Sequence, residues 1–183
     1  LPLAANWGPR SISELLGRPD EFSSQLFAWF YLGIAIGCPL AGWLNGRLGH
    51  ARSILLLGTL GTSALIIVLS LLGTTTEQTV GILLLASGLT TSTYVLGYPL
   101  AAELSPDDAQ GSALAFVNFM AMMIAFGFVW LYGVVVDAFA ATRGHLPKPD
   151  PADFRSTLLW TGVLIATAIV CFALIRSPKR TRP

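Results

Sequence analysis

The sequence predicts an all-α membrane protein with five transmembrane helices. Of its 183 residues, 54% are apolar and only 11% are charged, whereas about a quarter of the residues in an average soluble domain are charged. Five apolar runs reach the length of about 20 residues that a helix needs to cross a bilayer core. None of the runs alternates apolar and polar residues with the period of two that a membrane β-barrel requires. Most of the chain should therefore be surrounded by lipid.

The five predicted spans leave a leading segment, residues 1–23, and a short basic tail, residues 177–183. The spans cover residues 24–45, 53–73, 80–102, 112–137 and 156–175. In the leading segment, Ser11-x-x-Glu14 followed by Gly17 predicts a short surface helix. Before the last span, Asp150-Pro151-Ala152-Asp153 has the features of a helix start, with a proline for the first helical position and an acid in the first turn.

Lys and Arg in the short connections orient the predicted spans. One side of the membrane has six basic and three acidic residues, and the other side has five basic and seven acidic residues. Because Lys and Arg concentrate in cytoplasmic loops, we expect the C-terminus to be cytoplasmic. The membrane is then a cell membrane, either a plasma membrane or a bacterial inner membrane.

Charge and composition argue against several other functional classes. The formal net charge is +1, and no basic patch is interleaved with aromatic residues, so we expect no nucleic-acid partner. The two histidines, His50 and His145, lie in loops on opposite sides of the membrane, which disfavours an intramembrane enzyme. Cys38 and Cys171 lie inside apolar runs and should behave as small hydrophobic residues. The sequence predicts no catalytic residue, no metal site and no cofactor.

The connection between the first two predicted spans carries a glycine-rich, basic motif. It reads Gly42-Trp43-Leu44-Asn45-Gly46-Arg47-Leu48-Gly49-His50-Ala51-Arg52. This stretch resembles the G-x-L-x-D-R-x-G-R-R loop of major facilitator superfamily transporters. The matching positions are Gly42, Leu44, Arg47, Gly49 and Arg52, and Gly46 replaces the aspartate of the family pattern. Loss of the aspartate is typical of the second copy of the loop, between family helices eight and nine.

A second resemblance lies between the third and fourth predicted spans. Glu103-x-x-Pro106 precedes Gly111-x-Ala113-x-Ala115-x-x-Asn118, which is similar to the family pattern between helices ten and eleven, with Ala115 in place of a glycine. The resemblance implies that the five spans are family helices eight to twelve, most of one six-helix half of a major-facilitator-type bundle. Residues 1–7 would then be the outer end of helix seven.

The resemblance also implies a function. Family members transport small solutes by alternating access, with the substrate bound between two halves near the membrane midplane. The first half is missing from this sequence, so we expect the chain to need a missing N-terminal half or a partner subunit, besides the lipid bilayer and a small-molecule substrate. The alternative is a non-transporting membrane scaffold or half-carrier that pairs with a partner.

Polar residues inside the spans are the candidates for a substrate cavity. The third span contains a run of hydroxyl-bearing residues, and the fourth span contains one asparagine; the candidates are Thr90, Thr91, Tyr94, Tyr98 and Asn118. Their hydroxyl and amide groups either face a substrate or form hydrogen bonds between helices, as Ser and Thr commonly do in membranes. No charged residue or histidine lies in the middle of a span, so an ionisable coupling group is expected outside this sequence.

The two matched motifs should meet at the cytoplasmic end of the bundle. In the family, the arginine of the glycine-rich loop commonly pairs with an acid at the inner end of the span two helices later. The resemblance therefore implies an Arg47–Glu103 ion pair that acts as a conformational latch, together with the loop positions Gly42, Gly49 and Arg52. Asp107 and Asp108 are the competing acids.

Overall fold

All regular structure that the chain shows is helical, within the ranges that are described. A computed structural model describes residues 2–72, 76–145 and 148–174. The helices are α1 (Pro2–Leu16), α2 (Asp20–Leu48), α3 (Ala51–Leu71), α4 (Glu77–Thr91), α5 (Gly97–Glu103), α6 (Gln110–Arg143) and α7 (Pro151–Leu174). Two 3₁₀ segments, Ser92–Leu96 and Asp107–Ala109, accompany them. The predicted all-α class is confirmed.

Five helical segments are long and apolar enough to cross a membrane. They are Asp20–Leu48, Ala51–Leu71, Glu77–Glu103, Asp107–Arg143 and Pro151–Val170. The third span is composite, because α4 passes through the 3₁₀ segment Ser92–Leu96 into α5. The predicted number of spans is therefore confirmed, while most of their ends differ from the prediction.

The differences at the ends follow from local capping. The first span begins at Asp20, directly after Pro19, and places two acids in its first turn, where they complement the helix dipole. The fourth span continues past residue 137 through an alanine-rich turn and stops at Gly144, whose φ of 75° ends the helix. The last span begins at Pro151, as the Asp-Pro-Ala-Asp start predicts.

The leading segment differs most from its prediction. Instead of a short surface helix near Ser11, it forms the 15-residue helix α1. Ser11 and Ile12 are only 1% and 2% exposed, because α1 packs against α2, α6 and α7. The helix ends before Gly17, which has a φ of 61°. This segment is therefore part of the bundle and not a surface feature.

The two ends of the bundle are distinguished by their turns. At the Gly49 end, α2 passes into α3 through Gly49, whose φ of 64° favours glycine. At the opposite end, named here the Gly144 end, an ion pair of 2.8 Å joins Arg18 to Glu77, and Arg155 Nε donates to the Ser70 carbonyl at 3.2 Å. Successive spans therefore run in alternating directions, and α3 packs against both α4 and α7.

Glycines allow α2 and α4 to pack backbone against backbone. A Cβ atom at Gly88 of α4 would overlap the Phe30 carbonyl oxygen of α2 and lie 3.0 Å from the Gly33 Cα. A Cβ at Gly33 would in turn overlap the Leu85 carbonyl oxygen. Small residues at this spacing drive helix association in membranes because they allow close van der Waals contact. This contact fixes the third span against the first.

We predict that Gly88→Ala destabilises the chain, because the added methyl group must push α2 and α4 apart. Overpacking of this kind costs about 1–3 kcal/mol. The free energy of unfolding, measured by helicity during SDS titration of the purified chain, should fall by that amount. Gly127→Ala is the matched control, since a Cβ at Gly127 on α6 meets no atom within 4 Å. Equal effects of the two substitutions would contradict the close contact.

Candidate functional site

Two threonines of the third span form hydrogen bonds with a threonine of α3. Thr62 Oγ1 lies 2.9 Å from Thr90 Oγ1 and 3.1 Å from Thr91 Oγ1. Thr90 Oγ1 also donates within its own helix, to the Ala86 or Ser87 carbonyl at 3.1 Å. Both threonines therefore take part in hydrogen bonding between helices, which is one of the two roles that the sequence left open. A contact of either hydroxyl with a substrate stays a prediction.

The 3₁₀ segment Ser92–Leu96 changes which side chains the third span presents. Ser92 and Thr93 lie against glycines, Gly37 of α2 and Gly58 of α3, and their hydroxyls donate to carbonyls of their own span at 2.6 and 3.0 Å. Tyr94, in contrast, is 40% exposed. A stretch of 3₁₀ helix inside a longer helix often marks a hinge. The segment therefore separates a tightly packed α4 from the less constrained α5.

Tyr98 and Asn118 are brought together across α5 and α6. The Tyr98 hydroxyl donates to Asn118 Oδ1 at 3.3 Å, and the pair lies on an exposed surface of the bundle. Together with Tyr94, one turn earlier on the same span, they form an uncharged polar patch that we call the tyrosine patch. Of the five predicted cavity residues, the structure thus places three in this patch, while the other two, Thr90 and Thr91 of α4, contact Thr62 of α3.

A partly open cavity of about 220 Å³ lies among α1, α2, α3, α4, α6 and α7. Its walls are mainly aliphatic and aromatic, and none of its lining residues is charged. The polar groups on its walls are hydroxyls, which belong to Ser11, Thr62, Ser87, Thr91, Tyr132 and Thr161. Thr91 is the one predicted site residue among them. The cavity was not predicted, because it is formed by residues far apart in the chain.

Helix α1 closes one side of this cavity through contacts with α6. Trp7 Nε1 donates to the Val129 carbonyl at 2.9 Å, and its ring lies 5.4 Å from that of Tyr132. The Tyr132 hydroxyl is 2.8 Å from Ser11 Oγ in a buried hydrogen bond. Tyr132 is buried at 3%, whereas Trp130, two residues earlier on α6, is 67% exposed.

The glycine-rich loop motif is located at the Gly49 end. The Gly49 N–H donates to the Asn45 carbonyl at 2.8 Å and ends α2. The Arg47 guanidinium lies over the Trp43 ring, 4.6 Å from its centroid, in a cation–π contact. Glu103 is the last residue of α5 and is located at the same end. The Arg47–Glu103 ion pair stays a prediction.

A buried acid at the Gly144 end was not singled out by the sequence. Asp153 is completely buried. Its Oδ1 accepts from Arg143 Nη1 at 2.9 Å, and its Oδ2 lies 2.9 Å from His145 Nδ1 and accepts from the Asp150 N–H at 2.9 Å. Arg143 also donates to Ser156 Oγ at 2.8 Å. This Asp153 cluster joins the end of α6 to the start of α7.

Of the contacts in the Asp153 cluster, the helix-start sequence Asp150-Pro151-Ala152-Asp153 indicates only the one between Asp153 and the Asp150 N–H. An acid three residues after Asp150 is expected to accept from the backbone N–H that precedes the helix, and Asp153 does so. The pairing with Arg143 and His145 had no sequence signal, because it depends on how α6 and α7 meet. Within the described ranges, no group of three His, Cys, Asp or Glu side chains is placed to hold a metal ion.

Comparison with known proteins identifies one family. A family model described as the Major Facilitator Superfamily matches residues 3–183, nearly the whole sequence. No curated protein and no solved structure matches the chain. The family match covers both of the motifs that the sequence analysis singled out.

We predict that Asp153→Asn destabilises the chain by about 1.5–3 kcal/mol, the range for hydrogen bonds to charged groups. The substitution keeps the shape of the side chain but removes the charge that Arg143 contacts. Unfolding in SDS, followed by circular dichroism, measures the loss. Asp137→Asn is the control, since Asp137 lies on α6 near the same end and is exposed; its effect should stay within about 0.5 kcal/mol. Losses of similar size in both variants would refute a special role for the buried acid.

Proposed function

Because this chain belongs to the major facilitator superfamily, we propose that it carries a small solute across a cell membrane by alternating access, together with a second helical bundle. In transporters of this type, substrate binds near the bilayer midplane where two repeats meet, and one bundle rocks against the other. The bundle described above would supply one of the two walls. The second wall would come from an N-terminal half or from a partner subunit.

The observation that carries this proposal is the tyrosine patch. Tyr94 is 40% exposed, and the Tyr98–Asn118 hydrogen bond also lies on an exposed surface. A polar group in contact with lipid tails is costly unless it is hydrogen-bonded, and the Tyr98–Asn118 bond uses only part of the hydrogen-bonding capacity of Asn118. An exposed polar patch on a membrane span is therefore better explained by contact with a water-filled path or with another bundle than by contact with lipid.

The absence of charge in the middle of the spans limits the chemistry of this wall. Hydroxyl and amide groups bind solutes through hydrogen bonds and do not neutralise a charged substrate. Ionisable residues commonly carry proton coupling in transporters. If transport is driven by protons, we propose that the coupling group lies in the second bundle.

The same proposal assigns the two ends of the bundle to the two sides of the membrane. The Gly49 end carries Arg47 and Arg52. We expect the basic tail of the sequence, residues 177–183, on the same side, because α7 begins at the Gly144 end and runs towards the Gly49 end. We propose that this end is cytoplasmic and that the Asp153 cluster faces the outside. The membrane would be a plasma membrane or a bacterial inner membrane.

A second candidate function is a non-transporting scaffold or half-carrier. This alternative is supported by the hydrogen bonds of Thr90 and Thr91 with Thr62 of α3, which give these hydroxyls a structural role. A scaffold would tolerate substitutions in the tyrosine patch, whereas a transport wall would not. Substitution of Tyr98 therefore separates the two candidates.

We predict that Tyr98→Phe lowers the initial rate of transport about three- to tenfold, which corresponds to the loss of one hydrogen bond. The rate is measured with a panel of radiolabelled solutes in cells whose uptake depends on the chain, at equal protein abundance. Tyr31→Phe is the matched control, because Tyr31 is 45% exposed on α2 and packs edge-on against Phe27 and Phe30. Unchanged uptake in both variants would favour the scaffold.

We further predict that Arg47→Glu slows transport and that adding Glu103→Arg partly restores it. Arg47 and Glu103 are both exposed on this bundle, so an ion pair between them contributes about 0–1 kcal/mol, and the expected slowing is about fivefold or less. Asp107→Arg and Asp108→Arg, each combined with Arg47→Glu, test the competing acids. The latch is wrong if Glu103→Arg gives no recovery, and a different latch is identified if one of the aspartate reversals does.

A further inference from the structure

The partly open cavity has the size of a small-molecule site. Its volume is about 220 Å³, and an apolar cavity of about 150 Å³ in another protein is known to bind benzene. Trp7, Phe27 and Phe30 contribute aromatic walls, and none of the lining residues is charged. A molecule with a single six-membered ring therefore fits the space, and a charged group on it would have no counter-charge.

One polar part of the cavity wall lies where α3 meets α7. Ser63 Oγ donates to the Gly162 carbonyl at 2.7 Å in a buried hydrogen bond between the two helices. Thr62 directly precedes Ser63 in the chain, and Thr161 directly precedes Gly162. Both threonines line the cavity. Their hydroxyls therefore lie on neighbouring helices in the same part of the wall.

The protons of these two hydroxyls already have acceptors. Thr161 Oγ1 donates to the Thr157 carbonyl at 2.8 Å. Thr62 Oγ1 has the Gly58 carbonyl at 3.1 Å and Thr90 Oγ1 at 2.9 Å as acceptors. A threonine hydroxyl has one proton and two lone pairs. The Thr91 hydroxyl, 3.1 Å from Thr62 Oγ1, can occupy one lone pair of Thr62, so the remaining capacity of Thr62 and of Thr161 is to accept a hydrogen bond. The part of the wall formed by Thr62 and Thr161 is consequently suited to a donor.

We propose that this cavity binds a small uncharged molecule that combines a ring-sized apolar body with one hydrogen-bond donor, as a phenol does. The aromatic walls hold the ring, and the donor reaches the oxygens of Thr62 or Thr161. This site lies within one bundle and is separate from the tyrosine patch. Binding there requires neither transport nor a second bundle.

The test compares two probes with the full chain in phosphatidylcholine nanodiscs. The probes are 4-fluorophenol and fluorobenzene, which differ by the donor, and their dissociation constants are measured by ¹⁹F NMR against empty nanodiscs. Thr161→Val should weaken 4-fluorophenol binding roughly three- to tenfold and leave fluorobenzene binding unchanged. Thr161→Ser, which keeps the hydroxyl, should retain the wild-type affinity for both probes.

The matched control is Thr167→Val on the same helix. Thr167 Oγ1 donates to the Val163 carbonyl at 2.9 Å, the same type of bond as that of Thr161, but Thr167 does not line the cavity. This variant should bind both probes as the wild type does. Ser87→Leu, which fills part of the cavity, should abolish binding of both probes. Circular dichroism establishes that each variant is folded, and Thr62→Val replaces Thr161→Val if the latter is not.

Three results would overturn the proposal. The first is a ¹⁹F binding signal of 4-fluorophenol that is no larger with the protein than with empty nanodiscs, which would mean that the cavity does not bind the probe. The second is an equal affinity for the two probes that Thr161→Val does not change, which would mean a site without donor recognition. The third is binding that survives in Ser87→Leu, which would place the probes elsewhere.

Discussion

The contact between α2 and α4 determines much of the arrangement of the bundle. Gly33 and Gly88 allow the two backbones to meet, so the third span cannot shift along the first without opening the contact. The same alignment places Ser92 against Gly37 and Thr93 against Gly58, where any larger side chain in place of glycine would overlap them. In lipid, where apolar side chains gain little by leaving their surroundings, such close packing is a main source of helix association.

This constraint divides the hydroxyl groups of the third span into two sets. Up to Thr93, the hydroxyls are held by carbonyls of their own span or by Thr62 of α3. Beyond that point the glycine contacts cease, and Tyr94 and Tyr98 lie at the surface of the bundle. The Arg18–Glu77 and Arg143–Asp153 ion pairs lie at the Gly144 end, where water is within reach. The interior of the bundle is thus held by packing and neutral hydrogen bonds, which leaves its exposed polar patch as the feature most in need of a functional explanation.

The sequence was sufficient to predict the number and type of spans because the bilayer imposes a length and an apolar composition on each helix separately. It also identified Gly49 as a turn and Asp150-Pro151-Ala152-Asp153 as a helix start, since both depend on local chemistry. It did not predict the burial of Asp153, its ion pair with Arg143, the packing of α1 or the cavity. Those features depend on which faces of distant helices meet, and the apolar faces of the five spans are too similar in composition to specify their neighbours.

Of the two environments that could cover the tyrosine patch without exposing it to lipid, we propose an aqueous transport path. Cysteine accessibility in membranes of transporting cells tests it directly, after replacement of Cys38 and Cys171 by alanine. Tyr94→Cys should react with a membrane-impermeant maleimide, whereas Leu60→Cys should not, although Tyr94 and Leu60 are equally exposed, at 40%, on the surface of this bundle. Failure of both cysteines to react would show that Tyr94 is covered by lipid or protein and would contradict the claim.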